Sequence, residues 1–259
     1  MSRLHLDFGC GSLKLAGALD TAPGSSGLLI VNGGNEIRSG AFSGHARLAA
    51  EIAKSGFPVF RFDRRGIGDS EGENRGFRKA GGDIRAALEA FRAIAPQIER
   101  IVAFGNCDAA SALMLTRGEG CDALVLSNPW TIDGDDNDDT PTPDAIRSRY
   151  ADKLKDPKEI RRLLRGGVDL GKLARGLLKA VRPDPPQSTL ADEVRVGLAE
   201  YDGEVRFLLA SSDRTAQMFE ANWDVSDPRI LRCEGAGHAY VEPHAQIWLR
   251  EQLLDALRI

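Results

Sequence analysis

Short apolar runs alternate along this chain with amphipathic stretches of helical period, and most of the apolar runs end in a cluster of glycine, asparagine, aspartate or serine. That order specifies a mostly parallel sheet with helices over both faces. Strands are expected at about Leu4–Phe8, Ser12–Leu19, Gly27–Val31, Phe57–Phe62, Arg100–Phe104, Asp122–Ser127, Val205–Ala210 and Arg229–Leu231. Helices are expected at about Gly44–Lys54, Ala80–Ala95, Ala110–Leu115, Thr215–Asn222 and Pro243–Leu257. In the first of these Leu48, Ala49 and Ile52 share a face, and in the second Ile84, Leu88 and Phe91 do. Gly9 and Gly11 supply a turn between the first two strands, which predicts an antiparallel hairpin at one edge. The 259 residues suit one α/β domain over 1–259.

The alternation breaks between about Pro129 and Glu204. This stretch opens on the acidic run Asp133-Gly134-Asp135-Asp136-Asn137-Asp138-Asp139 and continues as basic helical sequence at Pro143–Leu154, Pro157–Arg165 and Leu170–Val181. It reads as a small helical cap, at about 129–204, inserted before the last two strands. Alternating oxygen ligands suit calcium, but the run lacks a bidentate glutamate at the required distance and reads as a solvated loop. No metal and no cofactor are expected.

Composition narrows the function classes. A net charge of -4 disfavours a nucleic-acid binder, which is usually basic. No apolar run approaches the ~20 residues of a membrane span, and Met1–Asp7 has no apolar core of a signal peptide, so a cytoplasmic location is expected. Cys10, Cys107, Cys121 and Cys233 form no C-x-x-C pair and are expected as free thiols. Three of them read as small buried hydrophobes. Cys107 is different.

Ligands of an open α/β sheet bind at the carboxyl ends of its strands. The segment Gly105-Asn106-Cys107-Asp108-Ala109 joins a strand directly to a helix there. It matches the nucleophile elbow G-x-S-x-G, with cysteine for serine and alanine for the last glycine. Spacing alone leaves a core cysteine as good an account as a nucleophile. The order of partners shifts the balance. Asp213 follows the next-to-last strand and His238 follows the last, the order nucleophile, acid, base that this elbow requires. Asp213 alone reads equally as a helix N-cap. Oxyanion donors are expected from the backbone N–H of Asp108 and from the Gly33-Gly34-Asn35-Glu36 loop, where Gly34 and Asn35 are both candidates. Glu36 and Arg38 are candidate site charges, Trp130 and Tyr150 candidate substrate contacts, with Leu163, Leu177 and Val181 as further lining. The run Asp63–Ser70 reads as a structural turn with Asp63 and Arg65 in local ion pairs.

The chain resembles the α/β-hydrolase superfamily over nearly its full length. More narrowly, it looks like the type 1 hydrolases associated with the exosortase A system, which accompany bacterial exopolysaccharide and PEP-CTERM protein-sorting loci. The resemblance is carried by Gly33-Gly34 with Arg38 and Gly40, by Arg61–Gly72, by Cys107–Ser111 and by Leu163–Leu170. It implies a bacterial origin and a Cys-Asp-His triad at Cys107, Asp213 and His238. It supplies no substrate. The expected activity is acyl hydrolysis of a small-molecule ester, thioester or lactone through a covalent thioester. Acyl transfer to a sugar hydroxyl, and a non-enzymatic binding role on a hydrolase-like fold, are the alternatives.

Overall fold

The computed structural model describes residues 2–133 and 189–258. Eight strands form, at Arg3–Cys10 (β1), Leu13–Asp20 (β2), Ser26–Val31 (β3), Val59–Phe62 (β4), Arg100–Asn106 (β5), Ala123–Ser127 (β6), Glu204–Ala210 (β7) and Ile230–Cys233 (β8). Six α-helices accompany them, at Gly44–Lys54 (α1), Gly81–Ile94 (α2), Asp108–Leu115 (α3), Thr189–Ala199 (α4), Arg214–Ala221 (α5) and Pro243–Arg258 (α6). The strands make one sheet in the order β1-β2-β4-β3-β5-β6-β7-β8. β1 and β2 are the expected antiparallel hairpin, β2 runs antiparallel to β4, and every other pair is parallel.

The two faces of the sheet are sorted by the period-2 alternation of its strands. On one side Leu29, Val31, Ile101 and Ala103 join apolar residues of α2, α3, α4 and α5. On the other Leu28, Ile30, Val102 and Phe104 meet α1 and α6. Phe60, Phe62, Phe104, Phe207 and Phe219 are fully buried, each worth about 1.5–3 kcal/mol of transfer free energy.

The winding reverses at β3, because β4 lies on one side of it and β5 on the other. Such a switch point opens a crevice at the carboxyl ends of the strands. Here it sets the loop after β3 beside the elbow after β5, with Val31 paired to Gly105.

Two expectations change. Thr189–Ala199 lies in the stretch assigned to the cap, yet it is a helix packed on α3, with Leu190, Val194 and Leu198 buried in the main core. Those residues recur at i, i+4 and i+8, and Gly197 lets the helices touch, since a Cβ there would overlap the Met114 carbonyl. The three cap helices expected between 143 and 181 lie outside the described residues. Asp133 and the first turn of α4 meet directly. The Asp133 carboxylate accepts from Thr189 Oγ1 at 2.6 Å and from the Leu190 N–H at 3.1 Å, and Arg78 pairs with it at 2.7 Å.

The Asp63–Ser70 turn is structural, but its charges do not pair locally. Asp63 is fully buried and pairs with Arg38, from the loop after β3. Arg65 reaches Asp83 of α2 at 2.6 Å. A carboxylate removed from water needs a cation or several donors, and the strand order places those on neighbouring elements. A second buried pair lies alongside, Arg61 with Asp20 at 3.1 Å, and Arg61 Nη1 donates to the Arg38 carbonyl at 2.6 Å.

Candidate active site

Cys107 stands between the last residue of β5 and the first of α3, at φ 60 and ψ -127. A non-glycine residue there is strained and persists only where its surroundings over-determine it. Close packing does so here. A Cβ on Gly105 would sit 2.7 Å from the Ala109 carbonyl carbon and 2.8 Å from the Ala110 nitrogen. The Cys107 N–H donates to the Ser127 carbonyl at 3.0 Å, and its carbonyl accepts from Ala110 and Trp130. The side chain is half-buried at the head of α3.

Asp213 caps a helix and also faces His238. It is the N-cap of α5, Oδ2 accepting from the Ala216 N–H at 3.2 Å. The same oxygen lies 2.9 Å from His238 Nδ1. The capping bond therefore orients the carboxylate that orients the imidazole. Cys107 lies near enough to His238 to add to the upward shift of the imidazole. With Nδ1 facing Asp213, Nε2 is the atom left for sulfur. Burial lowers the pKa of His238, but the bonds and charges of Asp213 and Cys107 outweigh it and push the imidazolium up to about 10.

The other three thiols are pushed the opposite way from reactivity. Burial raises Cys121 to about 12, and burial also raises Cys10 and Cys233, helped by nearby carboxylates.

The loop after β3 lies against the elbow. The Gly34 N–H donates to Asp108 Oδ1 at 2.7 Å, so of the two candidate oxyanion donors this one is already engaged. The Asn35 N–H has no hydrogen-bond partner among the described residues, while its side-chain oxygen accepts from Asn74 at 2.9 Å. Glu36 is half-buried close to His238; burial raises its pKa, and the His238 charge opposes that. Arg38 is committed to Asp63 and Asp69.

Trp130 is half-buried against the main core, and its carbonyl accepts from Ser111 Oγ at 2.5 Å. Tyr150, Leu163, Leu177 and Val181 lie outside the described residues. Sequence reasoning missed two asparagines. Asn106 Nδ2 donates to the His238 carbonyl at 3.1 Å, and Asn128 Nδ2 donates to Asn106 Oδ1 at 2.9 Å. Asn128 Oδ1 accepts in turn from the Ala210 N–H at 2.9 Å. These bonds tie the strand before Cys107 to the His238 loop and to the strand that precedes Asp213. The signal was available as asparagine at the ends of two adjacent parallel strands, Asn106 and Asn128, beside the elbow.

The model of the alpha/beta hydrolase family matches residues 28–250. This chain belongs to the alpha/beta hydrolase family. No curated protein matches it in sequence. Among solved structures it is similar to DcsB in complex with its substrate analogue, at 15% identity and TM-score 0.65, over 99% of this chain and 98% of that one. It is similar to the esterase Pf2001 of Pyrococcus furiosus, at 14% identity and TM-score 0.64, over 99% and 91%. It is also similar to XC6422 of Xanthomonas campestris, described as a serine hydrolase without a lid, at 15% identity and TM-score 0.60, over 100% and 94%. Likeness at such identities is one of fold, and membership in the alpha/beta hydrolase family accounts for it. No helix among the described residues is long and apolar enough to cross a membrane.

Proposed function

We propose that this member of the alpha/beta hydrolase family is an acyl hydrolase that works through Cys107, His238 and Asp213. The observation carrying the reading is His238 bonded to Asp213 at 2.9 Å, with Asp213 and Cys107 together pushing its imidazolium up to about 10. Cysteine attacks as the thiolate, the form a neighbouring imidazolium favours. Sulfur adds to the acyl carbon of an ester, thioester or lactone, and the carbonyl electron pair moves to oxygen. The N–H groups of Asp108 and Asn35 are the assigned oxyanion donors. The tetrahedral species collapses, the leaving group takes the proton from His238 Nε2, and a thioester remains on Cys107. Neutral His238 then removes a proton from water, whose oxygen attacks the thioester and releases the acid and the thiolate. Asp213 keeps the ring oriented and offsets its charge.

The thiolate is also a good leaving group, so activated acyl groups are favoured over amides. We read that substrate, from the resemblance to exosortase-associated hydrolases, as an acyl compound of bacterial exopolysaccharide metabolism. The test is turnover of aryl-ester and acyl-thioester panels by wild type and Cys107→Ala. Loss of turnover in the variant is expected, and equal activity of the two proteins overturns the assignment.

A further inference from the structure

The Asp108 side chain does something that no triad role requires. It is buried beside the reacting sulfur, and its Oδ1 accepts from the Gly34 N–H at 2.7 Å. Arg64 is buried too, and its Nη2 donates to the Gly34 carbonyl at 2.5 Å. The same nitrogen lies 3.6 Å from Asp108 Oδ2. Both backbone polar groups of one glycine are thus held by a buried ion pair that spans the two loops. Gly34 has φ 53, a conformation that favours glycine, and a Cβ on Gly33 would sit 2.6 Å from Asp108 Oδ1. The close approach requires the missing side chain at Gly33, whereas at Gly34 the left-handed φ, and not lack of space, favours glycine.

We propose that Asp108, braced by Arg64, is the positioning residue of the oxyanion site: its carboxylate fixes the Gly33–Asn35 loop so that the Asn35 N–H faces the acyl oxygen. The inference rests on the acyl-hydrolase reading for its consequence, though not for its geometry. Asp108 then serves the site twice, by its backbone N–H and through the loop its side chain holds. Its side chain is no partner in the Asp213–His238 bond.

That separation supplies the test. Alkylation of Cys107 by iodoacetamide needs the thiolate but develops no oxyanion, whereas acylation by 4-nitrophenyl acetate needs both. In Asp108→Ala we expect acylation to fall about 100-fold, the loss that accompanies one misplaced oxyanion donor, with alkylation within roughly twofold of wild type. Asp108→Asn keeps an acceptor for the Gly34 N–H and should recover part of the acylation rate. Hydrogen exchange of the Gly34 amide, followed by NMR on the full chain, reads the clamp without any activity. It should accelerate at least about tenfold in Asp108→Ala and by less in Asp108→Asn. Unchanged Gly34 exchange in the variants overturns the proposal, as does a parallel fall in acylation and alkylation. If Asp108→Ala does not fold, faster exchange in Asp108→Asn carries the same decision. Wild-type Cys107 that alkylates but never acylates refutes the acyl-hydrolase reading, while Gly34 exchange still decides the clamp.

Discussion

Removing the Cys107 sulfur should change the charge state of a histidine three strands away. The His238 pKa is pushed up to about 10 because Asp213 accepts from Nδ1 at 2.9 Å and Cys107 adds to the upward shift. Burial acts against both. In Cys107→Ala the sulfur's contribution to the shift vanishes, while burial and Asp213 remain. An opposite charge in contact is worth about 1–3 pH units, so the midpoint should drop from about 10 by that amount. Each unit corresponds to about 1.4 kcal/mol of differential interaction with the protonated ring. The assay is NMR titration of the histidine Cε1 protons. The chain has 4 histidines, so a His238→Gln sample identifies the signal by its disappearance. His45 provides a control of opposite sign, since burial and the Arg61 charge lower it to about 4. A His238 midpoint that is unchanged in Cys107→Ala would refute the idea that sulfur and imidazole share charge.

Two further outcomes follow from buried charges. Asp20→Ala strips Arg61 of its ion-pair partner inside the sheet, and equilibrium urea unfolding should show a loss of about 3–5 kcal/mol. His45 is neutral in the folded state, with Nδ1 2.8 Å from Asn32 Oδ1, and its folded pKa lies below its ordinary 6.5. The unfolded chain therefore binds the extra proton first. Stability from this group is complete above about pH 6.5 and is lost as pH falls through about 4, at up to roughly 1.4 kcal/mol per pH unit. Urea midpoints of His45→Phe measured at pH 7 and pH 5 should diverge less than those of wild type.

The sheet was legible in the chain because period-2 and period-3.6 patterns are local, and so was the elbow. The placement of Asp213 and His238 was legible because each ends its own strand. What the residues did not disclose is partnership. Asp63 with Arg38, Arg65 with Asp83 and Asp108 with Gly34 are pairings created by a strand order that runs β2-β4-β3-β5 and ignores sequence proximity. The helix at Thr189–Ala199 went unseen for a related reason. The basic, proline-bearing sequence before it masks a short apolar stripe whose meaning depends on having α3 opposite.

The contact between Asp133 and the start of α4 bears on how such a chain can vary. Residues 133 and 189 sit a hydrogen bond apart, so the chain that joins them begins and ends at one doorway. Chain enclosed by such a doorway carries a closure cost that rises only with the logarithm of its length. Its size and composition are thus decoupled from the register of β6 and β7 on either side. Because the doorway follows the strand next to the one that leads to Cys107, any alphabet of side chains written into that stretch can be exchanged without re-addressing the three residues assigned to the chemistry.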